Sequence, residues 1–264
     1  MIGGVADVPS PVDGGPPSGG HPAARARDGI TVAAFDLDGT LTDGGSVLPF
    51  LAAVRGVAPV ALVTARTLPL LARAAVVGGT VADTAKEQLF IRLLGGLRAD
   101  DVDAAGDDFA ARHVRARLRP DVRDRLFWHR DQGHRIVIVS ASPECYVRPA
   151  AALLGADDYL ATRLAVDPDG RLTGRYEGKN CRGSEKYARV VSWLRVNGLV
   201  GSGNEQPVLW AYGNSRGDLR LLGAADQGVD AGRLGRWGRL RQFPRVRDLP
   251  HASTERSWTT GSGH

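Results

Sequence analysis

Three apolar runs in this chain break abruptly into clusters of polar side chains. Ile30 to Phe35 empties into Asp36-Leu37-Asp38-Gly39-Thr40, Ile136 to Val139 into Ser140-Ala141-Ser142-Pro143, and Val208 to Tyr212 into Gly213-Asn214-Ser215-Arg216-Gly217-Asp218. Unbroken apolar runs of this length read as strands buried on both faces, as in a parallel sheet covered by helices. In open α/β sheets the carboxyl ends of such strands hold the ligand. Tyr159 to Arg163 reads as a further short strand and Gln227 to Ala231 as an edge strand. Leu164 to Gly174, with Asp169-Gly170 at its turn, reads as a hairpin forming a flap or sheet extension without chemistry.

From Ser46 to Trp128 the period changes to that of helices. Val47 to Arg55, Leu68 to Val77, Thr84 to Leu94, Asp107 to Leu118 and Asp121 to His129 are the expected segments, with Gly78-Gly79 and Gly95-Gly96 as breaks. The fold class is therefore α/β, a Rossmann-like doubly wound parallel sheet with a helical cap inserted after the first strand. Residues 29–45 and 129–244 form the expected core domain and 46–128 the cap. Residues 1–28 contain five prolines and six glycines and almost no large apolar side chain, which predicts a disordered tail. A second disordered tail is expected over 245–264.

Composition narrows the classes. Among 264 residues, Cys145 and Cys181 are the two cysteines, too few and too far apart for a disulfide framework or a structural zinc site. No apolar run approaches the roughly 20 residues that span a bilayer, and no signal pattern opens the chain, so a cytoplasmic location is the default expectation. The net charge of +5 comes mostly from arginine. With few aromatics and no long basic run, a dedicated nucleic-acid surface is not indicated. Gly232-Arg233-Leu234, Gly235-Arg236-Trp237 and Gly238-Arg239-Leu240 repeat a Gly-Arg-apolar unit, so residues 232–241 read as a basic, loosely ordered connector able to touch an anionic membrane surface.

The chemistry gathers at the polar clusters. Asp36 and Asp38, two apart on an extended chain, face one spot, and Gly39 lets the backbone turn away. Ser140 ends the second strand and can present its hydroxyl and nearby amides to the same place. Ser142 is a good helix N-cap with Pro143 at the first helical position. Lys186 falls in the first turn of a helix, where a cation is disfavoured, and so predicts an anionic neighbour.

Asp36 to Thr42 after its strand resembles motif I of the haloacid dehalogenase superfamily. Ser140 to Val147, Gly178 to Lys186 and Tyr212 to Leu222 resemble the later motifs of its subfamily IB, the phosphoserine-phosphatase-like group. The resemblance covers roughly Ile30 to Asp230 and implies a phosphatase in which Asp36 is the nucleophile and Asp38 the general acid/base. It implies that Thr40, Ser140, Ala141 and Lys186 hold the phosphoryl group, with Lys179 and Arg182 near enough in sequence to compete with Lys186. It further implies a Mg2+ ion on Asp36, Asp38 and the fourth motif, where Asn214 stands in place of the aspartate many relatives carry and Asp218 is the other choice.

The expected reaction is hydrolysis of a phosphomonoester, a small molecule or a phospholipid head-group phosphate, through an aspartyl-phosphate. Phosphoserine is the runner-up, because Asp43-Gly44-Gly45-Ser46 supplies no glutamate to read the amine. Arg66 and Arg182 are the candidate specificity residues. A phosphotransferase would carry the same sequence. A non-catalytic interaction module on the same fold predicts loss of Asp36 or Asp38, and both are present.

Overall fold

The computed structural model describes residues 29–77, 79–200, 206–233 and 238–250. Strand β1 (Thr31–Phe35) leads into five helices, α1 (Val47–Arg55), α2 (Val57–Val77), α3 (Gly79–Leu93), α4 (Ala99–Arg117) and α5 (Pro120–Asp131), and then β2 (Arg135–Pro143). There follow α6 (Glu144–Leu154), β3 (Asp158–Thr162), β4 (Leu164–Val166), β5 (Leu172–Tyr176), α7 (Ser184–Val196), β6 (Val208–Gly213), α8 (Leu219–Ala224) and β7 (Gln227–Asp230).

Five strands form one parallel sheet in the order β3-β2-β1-β6-β7. The chain fills one side of β1 first and then crosses to the other, so the strand order reverses at β1 and opens a crevice at the carboxyl ends there. Register sets which loops meet. Phe35 lies beside Ile138 on one side and Tyr212 on the other, so the loops after β1, β2 and β6 start close to one level.

The strands are apolar on both faces, as the unbroken runs require. Ala33, Phe35, Ile136, Ile138 and Tyr212 face a core built with α1 to α6. Val32, Ala34, Val137, Val139, Leu209 and Ala211 face a second core built with α7 and α8. Each large apolar side chain so buried contributes about 1.5–3 kcal/mol. Phe35 and Tyr212 also stack with ring centroids 4.3 Å apart, which ties β1 to β6 just below the reactive loops.

Several elements differ from their sequence expectation, each for a local reason. Helix α2 begins at Val57 and runs through Pro69 instead of starting at Leu68. Helix α4 begins at Ala99, not Asp107, and keeps Gly106 in its interior because a Cβ there would stand 2.3 Å from the Cys145 carbonyl oxygen, where α4 crosses the start of α6. The β4–β5 hairpin is a support for α3 and not a loose flap: a Cβ on Gly174 would meet Ile91 Cα at 2.4 Å.

At the end of the described chain, Arg245 bridges to Asp230, Val246 is buried and Arg125 donates to the Pro250 carbonyl. Residues 245–250 therefore pack on the core and do not begin a tail. The connector expectation changes likewise, since Leu240 is buried against the α7–α8 side of the sheet and Arg233 pairs with Asp43. The expected tails at 1–28 and 251–264, and residues 234–237, lie outside the described residues.

Candidate active site

Asp36 follows β1 directly, and its N–H donates to the Tyr212 carbonyl at 2.9 Å. Its side chain is buried and held from two directions. Thr40 Oγ1 donates to Oδ2 at 3.0 Å and Lys186 Nζ to Oδ1 at 2.8 Å. Burial pushes the Asp36 carboxyl up to about 7, against the pull of Lys186, with the Asp218 and Asp38 charges adding to the rise. Such a group is a carboxylate whose charge depends on cations placed around it.

Asp38 stands on the same loop with its two oxygens in different situations. Oδ2 accepts from Ser46 Oγ at 2.8 Å and Ser142 Oγ at 2.5 Å, while Oδ1 is buried without a hydrogen-bond partner. Tyr146 OH lies 2.8 Å from Ser46 Oγ and fixes that hydroxyl in turn. The expected N-cap role of Ser142 is thus overturned: β2 continues to Pro143, which takes the cap position without a side-chain cap, and the Ser142 hydroxyl goes to Asp38. Ser140 Oγ accepts the Ser142 N–H at 3.1 Å and shapes the turn between them.

Gly39 has φ of +76°, and a Cβ there would fall 2.0 Å from Asn214 Nδ2. The missing side chain therefore lets the Asn214 amide lie over the Asp38-Gly39 turn. From below, the buried Arg119 guanidinium donates to the carbonyls of Gly39, at 2.8 Å, and of Ala231.

Lys186 is 2% exposed and bridges two carboxylates, reaching Asp218 Oδ1 at 2.5 Å as well as Asp36. Burial disfavours its charge, but Asp218 and Asp36 outweigh that and hold the ammonium well above the ordinary lysine range. Asp218 also accepts, on Oδ2, the N–H groups of Asn214 at 3.1 Å and Ser215 at 2.9 Å and the Ser215 hydroxyl at 2.8 Å. Burial opposes its ionisation, yet Lys186 and the Ser215 donors keep the carboxyl below the usual range. Three of these four donors converge on Oδ2, and Lys186 alone is on Oδ1. Asp218 is accordingly an anchor for Lys186 and the β6 loop.

A second ammonium enters from α3. Lys86 Nζ donates to the Ala141 carbonyl at 2.7 Å and to Asn180 Oδ1 at 2.8 Å. Burial lowers its pKa to about 8, opposed by the charges of Asp83 and Asp38. Asn180 Nδ2 donates to Asp83 Oδ1 at 2.6 Å, and Arg182 Nη1 lies 3.8 Å from the same oxygen. Arg182 also packs beside Gly217, where a Cβ would sit 3.0 Å from its Cγ. Helix α3 is thereby joined to the β2 and β6 loops by charged and amide groups at the rim of the site.

The haloacid dehalogenase-like hydrolase family matches residues 33–223 of this chain, a span that holds every side chain just described. The chain belongs to the haloacid dehalogenase-like hydrolases. Protein CicA of Caulobacter vibrioides is 33% identical to this hydrolase over 196 residues, covering 74% of this chain and 83% of that one. A phosphoserine phosphatase of Halobacterium salinarum is 30% identical over 203 residues, covering 76% and 85%. A solved structure of a protein of unknown function from Bordetella pertussis superposes with a TM-score of 0.64 at 26% identity, over 76% of this chain and 90% of that one. This hydrolase is an enzyme of the phosphatase type, in the phosphoserine-phosphatase-like branch of the family.

Of the residues singled out in the sequence, the structure brings Asp36, Asp38, Thr40, Ser140, Lys186, Asn214 and Asp218 to one end of β1, with the carbonyl of Ala141 turned to Lys86. Arg182 sits at the rim. Arg66 is not brought to them and lies on the exposed side of α2. Sequence reasoning missed Ser46, Lys86, Arg119 and Tyr146. A lysine three residues after Asp83 on a helix carries no signal of its own, and the Ser142 hydroxyl reads identically whether it caps a helix or binds a carboxylate 104 positions away.

Proposed function

We propose that this hydrolase cleaves phosphomonoesters with the help of Mg2+, through a phosphoryl group held covalently on Asp36. The observation that carries the reading is the pairing of a buried carboxylate, clasped by Lys186 and Thr40, with a second carboxylate whose Oδ1 is free. An oxygen of Asp36 attacks phosphorus in line, the P–O ester bond breaks, and Asp38 gives a proton to the departing alcohol. Asp38 then removes a proton from water, whose oxygen displaces Asp36 from phosphorus and releases inorganic phosphate. Lys186, Ser140 and the amides of the β2 loop stabilise the negative phosphoryl oxygens. Ser46 and Ser142 orient Asp38 so that Oδ1 is left to exchange the proton.

The donors at hand suit a small hard cation. The Asp36 carboxylate, the Asp38 carbonyl and the Asn214 amide oxygen are oxygen ligands, and Mg2+ characteristically takes only one or two carboxylates with water and substrate oxygens. Among the described residues no group of three or more His, Cys, Asp or Glu side chains could hold a metal; these oxygen donors are one carboxylate, one backbone carbonyl and one amide. When bound, the ion neutralises phosphoryl charge. Asp218, whose Oδ1 accepts from Lys186 alone, is the other acid that would hold the ion.

Helices α1 to α4 act as the cap in this reading, closing over the site and excluding water. Lys86 and Arg182 face the alcohol portion of the substrate, a small molecule or a phospholipid head-group phosphate. Phosphoserine is the second reading, favoured by the Halobacterium relative, and it has a specific difficulty: Asp43 is paired with Arg233, and Ser46 is occupied by Asp38, so the loop after Asp38 presents no free carboxylate for an amine.

The test is phosphate release from phosphoserine, nucleotides, sugar phosphates and lysophospholipid phosphates, with and without Mg2+. Magnesium-dependent release, absent in Asp36→Asn, is expected; release that persists in that variant sinks the proposal. Added acceptor alcohols separate hydrolysis from phosphotransfer.

A further inference from the structure

Helix α2 carries no acidic residue over its 21 positions, and its outward side is apolar. Val57, Leu62, Leu68 and Val76 are exposed by 74%, 52%, 60% and 82%, far more than a large aliphatic side chain leaves to water in an ordinary helix. The spacing explains why. Residues seven apart lie nearly in line along a helix. Val60 and Thr67 form the buried line, packed toward α1 and α3. Leu62, Pro69 and Val76 form an exposed line away from it, and Arg66 and Arg73 form a third, exposed line along its margin. The helix thus has two apolar sides, one in the protein and one that no described residue covers, edged by two guanidiniums.

We propose that the outward side of α2 docks this enzyme on an anionic lipid bilayer. An interfacial helix needs an apolar stripe to enter the acyl boundary and cations at its margin to meet phosphates, and α2 offers both. It lies on the bilayer and does not cross it, because no helix among the described residues is long and apolar enough to span. A second copy of the chain is the poorer occupant: α2 has arginines and no carboxylate to pair with them across such an interface, whereas an anionic bilayer supplies the missing charge. The inference stands apart from the substrate proposed above, since it rests on a surface and not on the catalytic residues.

The experiment is flotation of the full chain with vesicles of phosphatidylcholine alone or mixed with phosphatidylglycerol. Binding to the mixed vesicles, weakened by salt and low on phosphatidylcholine alone, is expected. Arg73→Gln should weaken binding about fivefold, and Leu62→Asp with Val76→Asp at least tenfold. Thermal midpoints should stay at the wild-type value because both positions are exposed. If the double variant loses stability, Leu62→Ser with Val76→Ser replaces it. Absence of binding, or binding that the α2 variants leave unchanged, overturns the proposal. So does a wild-type dimer in sedimentation that the same variants dissociate without any vesicle binding.

Discussion

Replacing Lys186 by methionine takes away an ammonium that stands between two buried carboxylates, Asp36 at 2.8 Å and Asp218 at 2.5 Å. Methionine keeps the length and most of the apolar stem, so packing changes little and the effect is electrostatic. Removing one partner of a buried pair leaves the other uncompensated and costs about 3–5 kcal/mol. For a domain of this size about 1 kcal/mol moves the midpoint by roughly 2–4 °C, so a fall of about 6–20 °C is expected at neutral pH.

The pH dependence gives a second handle. Without Lys186 both carboxyls have folded-state pKa values above their unfolded ones. The folded variant therefore binds more protons than the unfolded chain across that window, and its stability relative to wild type recovers as the pH falls. Thermal unfolding of wild type and Lys186→Met at pH 8 and pH 5 measures this. A midpoint within about 2 °C of wild type at pH 8, or a penalty that grows toward pH 5, would refute the assignment of Lys186 as the charge that permits both carboxylates to be buried. Combining Lys186→Met with Asp218→Asn should recover part of the loss, since one orphaned charge disappears with it.

Other outcomes follow from single contacts. His129 is fully buried between Tyr212 and His134, and burial with the His134 and Arg125 charges lowers its pKa to about 3. The unfolded chain takes up that proton first, so stability falls as pH drops from about 6.5 toward 3 and is lower by about 2 kcal/mol at pH 5; urea unfolding of His129→Gln should lack this component, and equal pH slopes for the two proteins would count against it. Lys86→Met should lower kcat/KM about tenfold to a hundredfold, the loss of a charge-assisted hydrogen bond, and change the ranking of substrates by the charge of their alcohol portion; an unchanged ranking would leave Lys86 a purely structural link between α3 and β2. Asn214→Asp should tighten Mg2+ binding, read by titration calorimetry without substrate and with Asp36 intact, and no change would place the 214 side chain away from the ion.

The sheet and the reactive loops were legible in the sequence because each depends on a short contiguous pattern. β1, β2 and β6 are apolar runs that end in the residues gathered at the candidate site, and the bounds of α1 coincide with its periodic segment. What escaped depends on partners far away in the chain. The helix expected from Asp107 extends back to Ala99 through Gly106, which its approach to Cys145 requires, and Ser142 reads as a cap until Asp38 is found beside it. Lys86 and Arg119 act through backbone carbonyls at 141 and 39, which no side-chain pattern announces. Asp218 enters the sequence reading as a metal ligand implied by the resemblance, and its second task, anchoring Lys186 and the β6 loop, shows only in its set of donors.

In the proposed reaction Asp36 becomes phosphorylated. Wild-type enzyme mixed with an accepted phosphomonoester and Mg2+, acid-quenched within one turnover and digested, should yield the peptide containing Asp36 with the added mass of one phosphoryl group, and Asp36→Asn should yield none. Turnover without a modified peptide, or a phosphoryl group recovered on another residue, would contradict it.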